Sequence, residues 1–109
     1  MKQVVFWGDA LKTIRKFPAN VSDRVADQLR QIRRGNTPLH WKPMPNIGAG
    51  VIEIRIRNKA GAFRVFYVAK FEETVYVLHA FQKKTQKTSP ADIEKGRRRY
   101  NEVLKHRQT

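Results

Sequence analysis

A chain of 109 residues, 40% hydrophobic and 29% charged, has room for one core and not two, and holds no stretch long and polar enough to be disordered. Its 23 Lys and Arg against nine Asp and Glu give +14, a self-repulsion that calls for a partner rich in phosphate or carboxylate. Without cysteine, disulfides and thiol nucleophiles are excluded, and scattered His40, His79 and His106 among few carboxylates argue against a metal site.

The basic excess is spread along the chain, so no detachable tail explains it. Nucleic acid is the leading partner, an acidic protein the second, and a membrane surface a weaker third. The N-terminus "MKQVVFWGDALK" lacks the apolar core of a signal peptide. Nowhere do about 18 apolar residues run together, so a cytoplasmic protein without membrane segments is expected.

In chain order, "KQVVFW" (Lys2 to Trp7) has the β-branched and aromatic character of a strand, ended by Gly8 and Asp9. Asp9 is placed to cap a helix carrying Leu11, Ile14 and Phe17 on one stripe, which Pro18 stops. A second helix follows, capped at Asn20 or Ser22, with Val21, Val25, Leu29 and Ile32 on its apolar face and Gly35 past its end. The pair predicts a helical hairpin. Asn36 to Gly50 shows no periodicity and reads as an irregular crossing loop. Three strands come next, "VIEIRIR" from Val51, "AFRVFYVA" from Ala62 and "TVYVLHAFQ" from Thr74, an antiparallel meander joined by short turns. Ser89, Pro90 and Asp92 then open a last helix, through about Lys105, that buries Ile93, Tyr100, Val103 and Leu104. The expected fold is a single α+β domain over residues 1–109 in the order β-α-α-β-β-β-α, its meander packed against the helical hairpin and the last helix.

In "VIEIRIR" the isoleucines take one face, and Glu53, Arg55 and Arg57 the other. If the turns close with Arg57 opposite Ala62 and Phe71 opposite Thr74, then Arg55 stands opposite Arg64, and Arg64 opposite Phe81. His79 and Lys83 share that face. Like charges directly opposite cost about 0.2–1 kcal/mol, a defect that a bound anion repairs. For Arg55 and Arg57 taken alone, a solvated strand face is the simpler explanation. Arg64, within an otherwise apolar run, points to function because an unpaired buried guanidinium is costly. His79 is read equally as a packed or a catalytic histidine, and the connector "KKTQK" equally as a solvated loop or a phosphate grip. Tyr67 and Tyr76 are assigned to the core with hydroxyls at its edge. Arg97 to Arg99 are assigned to the solvated side of the last helix.

The stretches "EIRIR", "FRVFY" and "HAFQKKTQKTSP", followed by a helix of the type "ADIEKGRRRY", resemble the RelE/ParE toxin superfamily, and within it the phage-derived HigB-like branch. The resemblance covers nearly the whole chain. It implies the toxin of a type II toxin-antitoxin system that cleaves mRNA on the ribosome without a metal or cofactor, held inactive by a HigA-like antitoxin. Carried over by position, it places Arg64 against the scissile phosphate and makes Lys83 and Lys84, after the last strand, further catalytic charges. Arg55 and Arg57 match the basic positions of the first meander strand. Where many such nucleases carry a Tyr or His as general acid or base, this chain has Thr88, Ser89 and Pro90.

Metal-free cleavage needs the 2′-hydroxyl deprotonated, the phosphate charge stabilised and the leaving 5′-oxygen protonated. Arg55 and Arg64 are the candidates for the phosphate, and Lys83 and Lys84 for proton transfer, with His79 as the competing base. Arg57, Phe81, Lys87 and Tyr67 are the expected RNA contacts, Phe81 by offering a ring to an unstacked base. Rival readings are a ParE-like inhibitor of DNA gyrase acting by protein contact, and a non-catalytic RNA-binding module.

Overall fold

The computed structural model of the chain describes residues 1–108. Alternation of apolar and polar residues sets the strands: β1 (Gln3–Phe6), β2 (Trp41–Pro43), β3 (Val51–Asn58), β4 (Gly61–Val68) and β5 (Thr74–Lys83). Three helices, α1 (Ala10–Arg15), α2 (Ala19–Arg33) and α3 (Pro90–Gln108), complete an α+β fold. The sheet is mixed, in the order β1-β5-β4-β3-β2, with β1 parallel to β5 and the other pairs antiparallel.

Two cores lie on the two faces of this sheet. Ile54, Ile56, Phe63, Val65, Val75 and Val77 pack against α1 and α2. Phe66, Val68, Tyr76 and Leu78 pack against Tyr100 and Val103 of α3 and against Met44 and Ile47. The face that alternation marks as polar on β3 therefore becomes a second interior further along β4 and β5.

Four expectations are corrected. The crossing loop is ordered: it contributes β2, whose Trp41, Lys42 and Pro43 pair with Ile54, Glu53 and Ile52, and it buries Met44 and Ile47. Proline is accommodated because β2 is an outer strand. Asp9 does not cap α1 with its side chain, since its carboxylate accepts from Arg99 Nη2 at 2.7 Å. Neither Asn20 nor Ser22 caps α2: Pro18 holds that position, and the Ser22 hydroxyl donates to Ile14 O at 2.6 Å. Arg99 is not solvated but buried, donating also to Leu78 O at 2.9 Å and so tying α3 to β5 and to the start of α1.

The β3–β4 register is the expected one, with Arg57 opposite Ala62 and Arg55 opposite Arg64. On the β5 side, Arg64 meets Phe81 and Phe66 meets His79. Past Phe66 the pairing shifts to Tyr67 with Val77, leaving Leu78 as the extra residue of a bulge. The turn end of the hairpin is thus one residue away from the expected register. The bulge restores it at the end where the basic residues lie.

Candidate functional site

Strand register decides which cations meet. Arg55 on β3 and Arg64 on β4 are directly opposite, and Lys83 on β5 occupies the same face two residues beyond Phe81, the partner of Arg64. The half-buried Lys83 ammonium has its pKa lowered by burial first and then by the neighbouring Arg64 charge, with Arg55 and Lys42 adding to the effect and Glu53 opposing it. Its neutral form is correspondingly more accessible than that of a surface lysine.

Glu53 is the neighbour that alternation alone left unexplained. It is 2% exposed, and its Oε1 lies 3.4 Å from Arg55 Nε and 3.6 Å from Arg64 Nε. Thr88 donates its hydroxyl to Oε2 at 3.3 Å. The like-charged pair is therefore offset in part from within the chain. Arg64, 4% exposed, spends one donor on Phe63 O at 3.1 Å, while its buried Nε has no hydrogen-bond acceptor among the described residues. Burial lowers the Arg64 pKa, Glu53 opposes this, and Arg55 and Arg57 lower it further. The group stays charged and under-coordinated, a state that an incoming oxyanion relieves.

Beyond β2 the edge of β3 is open to a groove of about 400 Å³ lined by Arg55, Arg57, Arg64, Arg24 and His40. Arg24 reaches it from α2 by donating to Arg57 O at 2.9 Å. Lys42 is a second residue that sequence reasoning missed. It lies opposite Glu53 on β2, so its side chain shares the face of Arg55 and Arg64.

The other candidates are placed as follows. His79 is on the same face but 5% exposed, with Nε2 2.7 Å from Asp92 Oδ1 and its ring stacked on Phe81 at 5.1 Å. Burial lowers its pKa despite the Asp92 carboxylate, so the ring is neutral, and its buried Nδ1 has no partner among the described residues. Asp92 also exchanges hydrogen bonds with Ser89, so His79 anchors the start of α3. Phe81 is not a free ring for a nucleotide, because Phe66 meets it edge-on at 5.3 Å and His79 covers it. Tyr67 is not at the site either. It belongs to the opposite core, where burial pushes its hydroxyl up to about 12. Lys84 and Lys87 are exposed in the connector between β5 and α3, and Arg57 is exposed on β3.

Among the described residues no group of three or more His, Asp or Glu is disposed to hold a metal ion, and no helix is long and apolar enough to cross a membrane. What the arrangement offers is a shallow, cationic basin with one buried carboxylate at its floor. Such a surface is chemically suited to binding and polarising a phosphate.

Comparison with curated proteins returns no match to the chain. A family model described as "Phage derived protein Gp49-like (DUF891)" matches residues 12–101, which include every element that builds the basin. Members are commonly toxins of toxin-antitoxin systems, which implies an antitoxin partner. The chain belongs to this Gp49-like phage-derived family, a RelE/ParE-like toxin family.

Proposed function

We propose that the protein is an endoribonuclease toxin of the HigB-like kind, cutting mRNA on the ribosome and restrained by a HigA-like antitoxin. The observation that carries this reading is the direct pairing of Arg55 with Arg64, with Lys83 on the same face within electrostatic reach. Two guanidiniums at cross-strand spacing grip the non-bridging oxygens of one phosphate and stabilise the charge that grows on them, an effect worth several kcal/mol in a preorganised site, on the order of 3–4 per donor.

In this mechanism a 2′-hydroxyl attacks the adjacent phosphorus while neutral Lys83 accepts its proton. The bond from phosphorus to the 5′-oxygen breaks, and protonated Lys84 donates to that oxygen. A 2′,3′-cyclic phosphate and a 5′-hydroxyl result. We assign proton acceptance to Lys83 rather than His79 because the histidine is sealed under α3 and held by Asp92. Phe81, the ring expected to stack an RNA base, is covered by Phe66 and His79, so in this reading the ribosome supplies the in-line geometry.

The test is to map 3′ ends on one transcript with and without translating ribosomes. Cyclic phosphate ends that require ribosomes support the reading. Intact RNA in both arms leaves a binding protein, and equal cleavage in both removes the ribosome from the mechanism.

A further inference from the structure

We infer that Lys42, carried by the outer strand β2, seats a second phosphate of the same RNA strand, so that the basin takes two consecutive backbone phosphates. This rests on the reading of the face as a phosphate site. Three observations lead to it. The register places Lys42 opposite Glu53 and therefore on the face of Arg55 and Arg64. Its ammonium is exposed and has no hydrogen-bond or ion-pair partner among the described residues. Yet it lies close enough to Lys83 to depress that pKa, although β3 and β4 separate their strands.

Three strand spacings across the sheet and an offset of four residues along it, Lys83 being level with Arg57 and Lys42 with Glu53, place their backbones roughly 20 Å apart. Both side chains stand on the face of Arg55 and Arg64, on opposite sides of that pair. Lys42 thus forms the far wall of the basin, and Lys83 the near one. Consecutive phosphates along an RNA strand lie roughly 6–7 Å apart, so a linkage held by the arginine pair leaves its neighbour over one wall. Lys83, the drier of the two and the one assigned to proton transfer, is less suited to grip a spectator phosphate. The exposed Lys42, with three free donors, is suited to it.

The experiment compares two 2′-O-methyl oligonucleotides, which bind without being cut: a dinucleotide with one phosphate and a tetranucleotide with three. Wild type is expected to prefer the tetranucleotide. K42A removes most of that preference, lowers the slope of log Kd against log salt by about 0.7, and leaves dinucleotide binding unchanged. Lys12 is exposed on α1, against the other face of the sheet, so K12A removes the same charge and keeps the preference. If wild type prefers the tetranucleotide and K42A does so equally, this inference is overturned while the phosphate reading stands. If wild type binds neither, both fall. Lys42 is exposed on an outer strand, and matching urea midpoints for the two variants show that folding is not the cause.

Discussion

Glu53 and Arg64 are both buried, and their charged ends lie 3.6 Å apart on the diagonal of the β3–β4 ladder, an ion pair without a hydrogen bond between its members. The carboxylate is close enough to offset the guanidinium's desolvation without taking a hydrogen bond from it, so the donors not spent on Phe63 O remain for an oxyanion. Glu53→Gln is expected to lower stability by about 1–3 kcal/mol, because a buried cation loses its counter-charge. The same change tightens binding of an RNA oligonucleotide, since the basin gains a positive charge. Urea unfolding and fluorescence anisotropy read the two effects, and a variant that loses affinity along with stability contradicts this placement of Glu53.

Arg64 is expected to be needed for its fork as well as its charge. Arg64→Lys keeps a cation beside Glu53, so the fold survives, but one ammonium cannot share a phosphate bidentately with Arg55. Cleavage of ribosome-bound mRNA should fall about 10²–10³-fold, the cost of losing one preorganised donor. Circular dichroism checks the fold. An active Arg64→Lys would remove the paired-guanidinium grip from the mechanism.

Gly48 lies in the segment between β2 and β3, against Tyr100 of α3. A Cβ there would lie 2.5 Å from the Tyr100 ring, whose hydroxyl donates to Ala49 O at 2.9 Å and accepts from Lys70 Nζ at 2.8 Å. With the ring pinned at its far end, the loop must move instead. Gly48→Ala should cost about 1–3 kcal/mol and shift β2 with Lys42, weakening RNA binding. Gly35→Ala meets no atom within 4 Å, but its φ of +93° imposes backbone strain, so it lowers stability without touching RNA affinity.

His79 gives the fold a pH dependence of defined sign. Burial holds its folded pKa below 6.5, so the unfolded chain takes up a proton that the folded one refuses. Stability is therefore expected to fall as pH drops from about 6.5 towards the lowered value. Asp9 and Glu73, both lowered by arginine partners, begin to cost stability only as pH falls through 3.8 and 4.5, their ordinary values. His79→Gln retains a donor for Asp92 but cannot titrate. Thermal midpoints measured between pH 7 and 5 should fall in wild type and stay level in the variant.

The long elements were legible because each carries a strong local signal: alternation in "VIEIRIR", four apolar residues on one stripe of α2, and Ser89 with Pro90 before α3. β2 was not, since three residues ending in proline carry no periodicity and form a strand only because β3 offers an edge. The bulge at Leu78 was equally hidden, because "TVYVLHA" is apolar on both faces and favours no register. The pairing of Arg55 with Arg64 followed from the β3–β4 turn length, but the arrival of Lys83 on their face depends on the bulge, which offsets a β4–β5 turn that closes one residue away from the expected register. The roles of Glu53 and Arg99 did not follow, because a charge among charges reads as solvated until packing buries it. Phe81 and Tyr67 went the other way: aromatic character suggested contact, and the two cores absorbed both rings.

Lys83 as the proton acceptor fixes the pH profile of cleavage. Its pKa is lowered from 10.5 by burial and by Arg64, so the neutral amine accumulates as pH rises. Single-turnover cleavage of ribosome-bound mRNA should rise with pH to a plateau, with a midpoint below 10.5. Were His79 the base, the rise would fall below pH 6.5 and the rate would be flat above it. Lys83→Arg keeps the charge but cannot give up its proton in this range, so it should lose the rise and about 10²–10⁴-fold of the rate. Glu53 supplies a second check, because its carboxylate raises the Lys83 pKa. In Glu53→Gln the midpoint should move to lower pH, a shift expected only if the titrating group lies in the basin beside that carboxylate.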